Sequence, residues 1–94
     1  MTFAEFNSTL SGAHAPGLPP LLQALWHDAR GEWDQAHRLA QEIETRDGAW
    51  VHAYLHRKEG DFQNAAYWYQ QAGEPVASDS LESEWQRIAT ALLA

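Results

Sequence analysis

Three side chains that bind metal ions are spaced so that one helix would present them together. His52, His56 and Glu59 stand at positions i, i+4 and i+7, which places two imidazoles and a carboxylate on one helix face. These three residues are a candidate site for one cation. The pattern lacks the adjacent glutamate of the His-Glu-x-x-His hydrolases, so its match to that class of metalloenzyme is incomplete.

A second set with the same spacing could bind a partner. Trp50, Tyr54 and Arg57 also stand at i, i+4 and i+7, and aromatic and arginine side chains are frequent binding anchors. Arg57 and Lys58 form the only adjacent basic pair in the chain, which favours a carboxylate or an acidic peptide as the ligand. The alternative is that the aromatic residues pack against a terminal helix while Arg57 and Lys58 stabilise the end of their own helix.

The composition describes one small acidic domain. With 94 residues the chain can build one modest core. The absence of cysteine excludes disulfides and thiolate metal sites. Six Lys and Arg against thirteen Asp and Glu give a formal net charge of −7, which disfavours nucleic acid and anionic lipid as partners. We expect no signal sequence, no membrane span and a cytoplasmic location.

The order of caps, apolar stripes and breakers predicts an all-α fold. Thr2 and Glu5 form a capping-box pattern, and Asp79 with Glu82 forms a second possible one. No segment alternates with the two-residue period of a strand. The predicted segments are an N-terminal helix within 1–12, helices over 20–30, 34–44, 49–59 and 62–72, and a C-terminal helix over 79–93.

Glycine and proline residues separate these helices. Gly31 and Gly60 are expected to end helices with a positive φ, and Gly73 with Pro75 ends the fifth helix. Residues 13–20, rich in proline, are expected to be non-helical until the last prolines enter the next helix. Residues 45–48 are expected to separate the third helix from the fourth.

An internal repeat relates residues 20–44 to residues 49–75. Aligning Gly31 with Gly60 gives a shift of 60 − 31 = 29 residues and the shared string His-x-x-x-Gly-acid-aromatic-x-x-Ala. The aligned pairs are His27 with His56, Glu32 with Asp61, Trp33 with Phe62, Ala36 with Ala65 and Ala24 with Ala53. The glycine allows the turn, the acid caps the next helix and the alanines allow two helices to approach closely. The repeat also favours a structural role for His27 and His56.

These two units resemble tetratricopeptide repeats. The small residues Ala24 and Ala36, the turn of glycine, acid and aromatic residue, and Tyr69, Ala72 and Pro75 in the second unit match that pattern, although the shift of 29 is shorter than the 34 residues of the family. The resemblance implies two antiparallel helical hairpins flanked by terminal helices. We expect those terminal helices to cap the hairpins, and an uncovered one would instead form a dimer or partner interface.

The resemblance also implies a function. In the family the first helix of each hairpin lines a concave groove, and the corresponding residues here are Leu21, Leu25, Asp28, Trp50, Tyr54, Arg57 and Lys58. The expected function is a non-catalytic module that binds a protein or peptide, with no cofactor and no catalytic residue. The alternatives are the metal site of His52, His56 and Glu59, and a purely structural homodimer that uses aromatic faces.

Overall fold

The computed structural model describes residues 1–14 and 16–94, and within them the chain is all-α. One residue of the predicted non-helical stretch, Ala15, lies outside the described residues. None of the described helices has the length and apolarity needed to cross a membrane. The helices are α1 (Phe3–Ser8), continued by a 3-10 turn (Thr9–Ser11), α2 (Pro20–Ala29), α3 (Trp33–Gln41), α4 (Arg46–Lys58), α5 (Phe62–Ala72) and α6 (Leu81–Leu93).

Most of the predicted caps and turns are confirmed. The side chain of Thr2 accepts a hydrogen bond from the backbone N–H of Glu5, and the Glu5 carboxylate accepts one from the backbone N–H of Thr2, which completes the capping box. The three glycines Gly31, Gly60 and Gly73 have φ values of 80°, 85° and 69°, the left-handed region that glycine adopts without steric cost.

The start of α4 differs from the prediction. Residues 46–48 were expected to be a break, but α4 begins at Arg46 because the Thr45 side chain accepts a hydrogen bond from the backbone of Gly48. Gly48 lies in this first turn. The backbone there passes so close to Ile43 that the Cβ of a larger residue would collide with it. The glycine serves close packing here and does not end a helix.

The caps of α6 also differ from the prediction. Ser80, and not Asp79, caps α6, and its side chain accepts from the backbone of Ser83. The Asp79 carboxylate instead accepts two hydrogen bonds from Arg87, at 3.0 and 3.1 Å. The prediction of an Asp79–Glu82 capping pair is therefore wrong.

The helices pack around α4. Helix α2 contacts α3, and α4 contacts α5, each pair being joined by a short turn; α6 lies against α1, α2 and α4. The indole of Trp85 on α6 packs between Phe3 and Phe6 of α1, with ring centroids 5.8 and 5.6 Å away. The same indole donates a hydrogen bond to the carbonyl oxygen of Leu25 on α2. Helix α6, at the C-terminal end, thus holds the N-terminal helix α1 against the central helices α2 and α4.

The close approach at Gly48 can be tested by adding one methyl group. A Cβ at position 48 would lie 2.0 Å from the carbonyl oxygen of Ile43, so Gly48→Ala should destabilise the fold by about 1–3 kcal/mol despite the higher helix propensity of alanine. Gly17→Ala is the matched control because nothing lies within 4 Å of its added Cβ. Urea denaturation of both variants gives the comparison, and equal stability of the two would contradict the packing described here.

Candidate functional site

Most of the residues predicted to line an open groove are buried. Leu25, Asp28 and Tyr54 are at most 2% exposed, and Trp50 is 9% exposed. Arg57 and Leu21 are partly buried and Lys58 is exposed. Helix α6 packs against this face, which is the alternative stated above, because its apolar stripe, centred on Trp85 and Ile88, is buried there. Binding of an external ligand by these residues stays a prediction.

A carboxylate from α6 is bound by two of the predicted groove residues, Trp50 and Arg57, together with Tyr69. Glu84 is completely buried, and its Oε1 lies 2.8 Å from Nη1 of Arg57. The indole N–H of Trp50 donates to Oε2 at 3.2 Å. The Tyr69 hydroxyl lies 2.8 and 2.6 Å from the two carboxylate oxygens. Arg57 also donates to the carbonyl oxygen of Asp79, just before α6. These contacts form a carboxylate-binding site built by α4 and α5, which we call the Glu84 site.

A second buried carboxylate, that of Asp28, lies on α2. Asp28 accepts a hydrogen bond from the Tyr54 hydroxyl at 3.1 Å and pairs with the ammonium group of Lys58 at 3.0 Å. Asp28, Tyr54 and Lys58 line a cavity of about 310 Å³ between α6 and the N-terminal segment. The adjacent basic residues Arg57 and Lys58 therefore serve two different carboxylates.

Burial and these carboxylates keep both tyrosines protonated. Burial, the hydrogen bond to Glu84 and the charge of Glu84 all raise the pKa of Tyr69 well above its usual value. Burial and the charge of Asp28 raise the pKa of Tyr54 in the same way. Each hydroxyl is therefore a hydrogen-bond donor over the whole physiological pH range.

In the structure His37 takes the place predicted for Glu59 beside His52 and His56. His52 and His56 are buried side by side on α4, with ring centroids 4.8 Å apart. Glu59 does not complete their set, because its carboxylate turns to Nδ1 of His56 at 2.6 Å. His37 of α3 does: its Nε2 lies 2.9 Å from Nε2 of His52. One ring nitrogen from each of His37, His52 and His56 lies within 4.8 Å of the others.

Two indole rings enclose this histidine cluster. Trp33 stacks on His37 with ring centroids 4.9 Å apart, and Trp68 stacks on His52 at 4.1 Å. Burial, followed by the neighbouring His37 and His56, lowers the pKa of His52 to about 4. Burial also lowers the pKa of His37. His52 is therefore neutral near pH 7.

Sequence reasoning missed His37 and Glu84 as site residues. Glu84 carried a signal, since it stands three residues after Leu81 and four before Ile88, inside the apolar stripe of α6. His37 carried none, because its partner His52 is 15 residues away on another helix. Only the packing of α3 on α4 brings them together.

The Glu84 site can be tested by removing one hydroxyl group. Tyr69→Phe removes the hydroxyl that donates to the buried carboxylate of Glu84, so it should lower the free energy of unfolding by about 1.5–3 kcal/mol. Tyr67→Phe is the control, because that side chain is 49% exposed two positions away on the same helix. Chemical denaturation should separate the two variants; a Tyr69→Phe protein as stable as the control would rule out a stabilising role.

The lowered pKa of His52 predicts a pH dependence of stability. In the unfolded chain this imidazole takes up a proton below about pH 6.5, whereas the folded protein resists protonation until about pH 4. Its contribution to stability is therefore complete above pH 6.5 and is lost as the pH falls from 6.5 to 4. Denaturation curves across this range should show a steeper loss for the wild type than for His52→Gln. Parallel curves would mean that His52 titrates normally.

Comparison with known proteins identified no relative of this chain. No family model, no curated protein and no solved structure matches the chain. Its function is therefore inferred from its own contacts, burial and charges.

Proposed function

We propose that this chain is a non-catalytic, tetratricopeptide-like module whose concave face binds an acidic amphipathic helix. In this proposal α2–α3 and α4–α5 are the two repeats, and α1 and α6 are the flanking helices. Helix α6 then occupies this face as an intramolecular ligand. The partner is a protein that presents a helix of the same chemistry, and a second copy of this chain is one source of it. The cytoplasm is the proposed compartment.

The burial of Glu84 is the observation that carries this proposal. A helix that only covered apolar surface would need no buried charge in its first turn, where Glu84 lies, and replacing a buried ion pair by apolar residues is often neutral or stabilising. Glu84 is nonetheless 0% exposed and contacts side chains of both α4 and α5. A buried ion pair of this kind favours one partner and one register over others. Carboxylate recognition is therefore the property that the module would use.

The remaining contacts define the helix that would fit. The Trp85 side chain, which directly follows the carboxylate, fills the space next to Phe6, and the Ile88 side chain, four residues after Glu84, is completely buried. The matching ligand is a helix with the pattern Glu-Trp-x-x-Ile. Its acidic group supplies specificity, and its apolar residues supply most of the binding free energy.

A cleavable form of the chain tests the proposal. A protease site is inserted between Pro75 and Val76, both exposed in the segment before α6. After cleavage, a fluorescent peptide of residues 79–94 should replace the released α6 segment, and fluorescence anisotropy measures its affinity. Glu84→Gln in the peptide should weaken binding by about tenfold to a hundredfold, since it removes a charge-assisted contact with a buried partner.

Three controls make the result specific. The peptide with Glu82→Gln should bind like the wild type, because that carboxylate is exposed on the same helix. The uncleaved chain should exclude the peptide. A cleaved chain with Arg57→Glu should lose affinity for the wild-type peptide. If Glu84→Gln binds as tightly as Glu82→Gln, the face does not recognise a carboxylate and the proposal is wrong.

A further inference from the structure

We propose that His37, His52 and His56 bind one divalent first-row transition metal ion, with zinc as the reference ion. The three side chains come from α3 and α4 and converge at one point between these helices. This site would be separate from the Glu84 site. On α4, the stripe with Trp50 and the stripe with His52 are offset by two residues, which turns them about 200° apart around the helix axis.

The spacing of the three imidazoles suits one ion. Metal–nitrogen bonds of about 2.0–2.1 Å in a tetrahedral arrangement place ligand nitrogens roughly 3.3 Å apart. The Nε2 atoms of His37 and His52 are 2.9 Å apart, and all three donor nitrogens lie within 4.8 Å of one another. To hold one ion, nitrogens that are up to 4.8 Å apart would have to move closer together through small changes in side-chain torsion angles.

The surroundings of His56 are those of a metal ligand. Its Nδ1 is 2.6 Å from Oε1 of Glu59, so the remaining nitrogen, Nε2, is the one available to an ion. A carboxylate that accepts the second ring N–H of a ligand fixes the tautomer and increases the basicity of the imidazole. Glu59, predicted from its spacing as a direct ligand, would therefore act as a positioning residue.

The other two ligands are also held in place. Trp33 stacks on His37 and is itself fixed by a hydrogen bond from its indole N–H to the carbonyl oxygen of Leu55. Trp68 stacks on His52. The stacked indoles restrict the rotation of the two imidazoles and so keep them near the orientation in which they converge.

The donor set decides the class of metal. Three neutral imidazoles suit zinc, copper, nickel and cobalt, whereas magnesium and calcium prefer oxygen ligands. The hydrogen bond between His37 and His52 requires a proton on one of the two Nε2 atoms. On binding, that proton moves to Nδ1 of the same ring, so both Nε2 lone pairs face the ion. No oxidant or additional reactant is needed.

Calorimetry on the full chain, purified without an affinity tag, tests the site. Titration with zinc chloride at pH 7.5 should show saturable binding of one ion per chain, and excess zinc should raise the melting temperature. Cobalt should produce the absorption bands of a tetrahedral complex, and copper should quench tryptophan emission because Trp33 and Trp68 adjoin the ligands. Magnesium should give no heat.

Substitutions locate the ion. His37→Gln and His52→Gln should each weaken zinc binding by about a hundredfold or more, while Glu59→Gln, which affects only the orientation of a ligand, should cost about tenfold to a hundredfold. His27→Gln is the matched control, because His27 contacts Glu32 at 2.9 Å in the corresponding turn of the other repeat and should bind zinc like the wild type. Far-UV circular dichroism checks that each variant is folded.

Two results would overturn the proposal. One is the absence of saturable one-to-one binding by the wild type. The other is unchanged affinity in a folded His37→Gln protein, since this partly exposed residue contributes the ligand that comes from α3. Neither result depends on the peptide exchange of the Glu84 site, so the two proposals can fail separately.

Discussion

The burial of α4 on every side is the constraint on which the rest of the structure depends. Nine consecutive residues, Gly48–His56, are buried, so α4 has no solvent face within this stretch and is not the usual amphipathic helix. Four of the nine carry polar atoms in their side chains: Trp50, His52, Tyr54 and His56. A buried polar group without a partner costs free energy. Neighbouring helices must therefore supply the partners.

Three neighbouring helices each supply one partner, and the fourth polar residue, His56, is paired with Glu59 at the end of α4 itself. Glu84 on α6 accepts from Trp50, Asp28 on α2 accepts from Tyr54, and His37 on α3 contacts His52. Among the described residues, every buried side-chain nitrogen and oxygen has a hydrogen-bond partner. These directional contacts fix the rotation of α4 relative to α2, α3 and α6, which apolar packing alone would leave less defined. Both candidate sites arise from this one requirement.

The local part of this arrangement could be predicted from the sequence. The capping box at Thr2, the cap at Asp61 and the positive φ of Gly31 and Gly60 are each determined within a few residues of chain, and all were predicted. The start of α4 at Arg46 differs from the prediction, because a glycine such as Gly48 usually marks a break between helices. Its role depends on the approach of Ile43, a contact that composition does not reveal.

The sites were predictable only in part for a related reason. Spacing along one helix pairs His52 with His56 and Trp50 with Arg57; in the structure the first two rings are stacked and the other two side chains contact Glu84. The partners that complete them, His37 and Glu84, are 15 and 27 residues away from His52 and Arg57. Such contacts depend on how the helices cross. Periodicity within a single helix carries no information on that crossing.

The distribution of charge connects the fold to the proposed partner. Of the six basic side chains, four bind groups within the chain: Arg30 donates to carbonyl oxygens near the end of α1, Arg57 and Lys58 bind buried carboxylates, and Arg87 binds Asp79. With a net charge of −7, the outer surface repels an acidic protein at long range. The Arg57 side chain is only 14% exposed, so in the proposed function it would be accessible to such a protein only after α6 had left the face. The proposed acidic helix would therefore have to compete with α6 for the face and would not bind beside it.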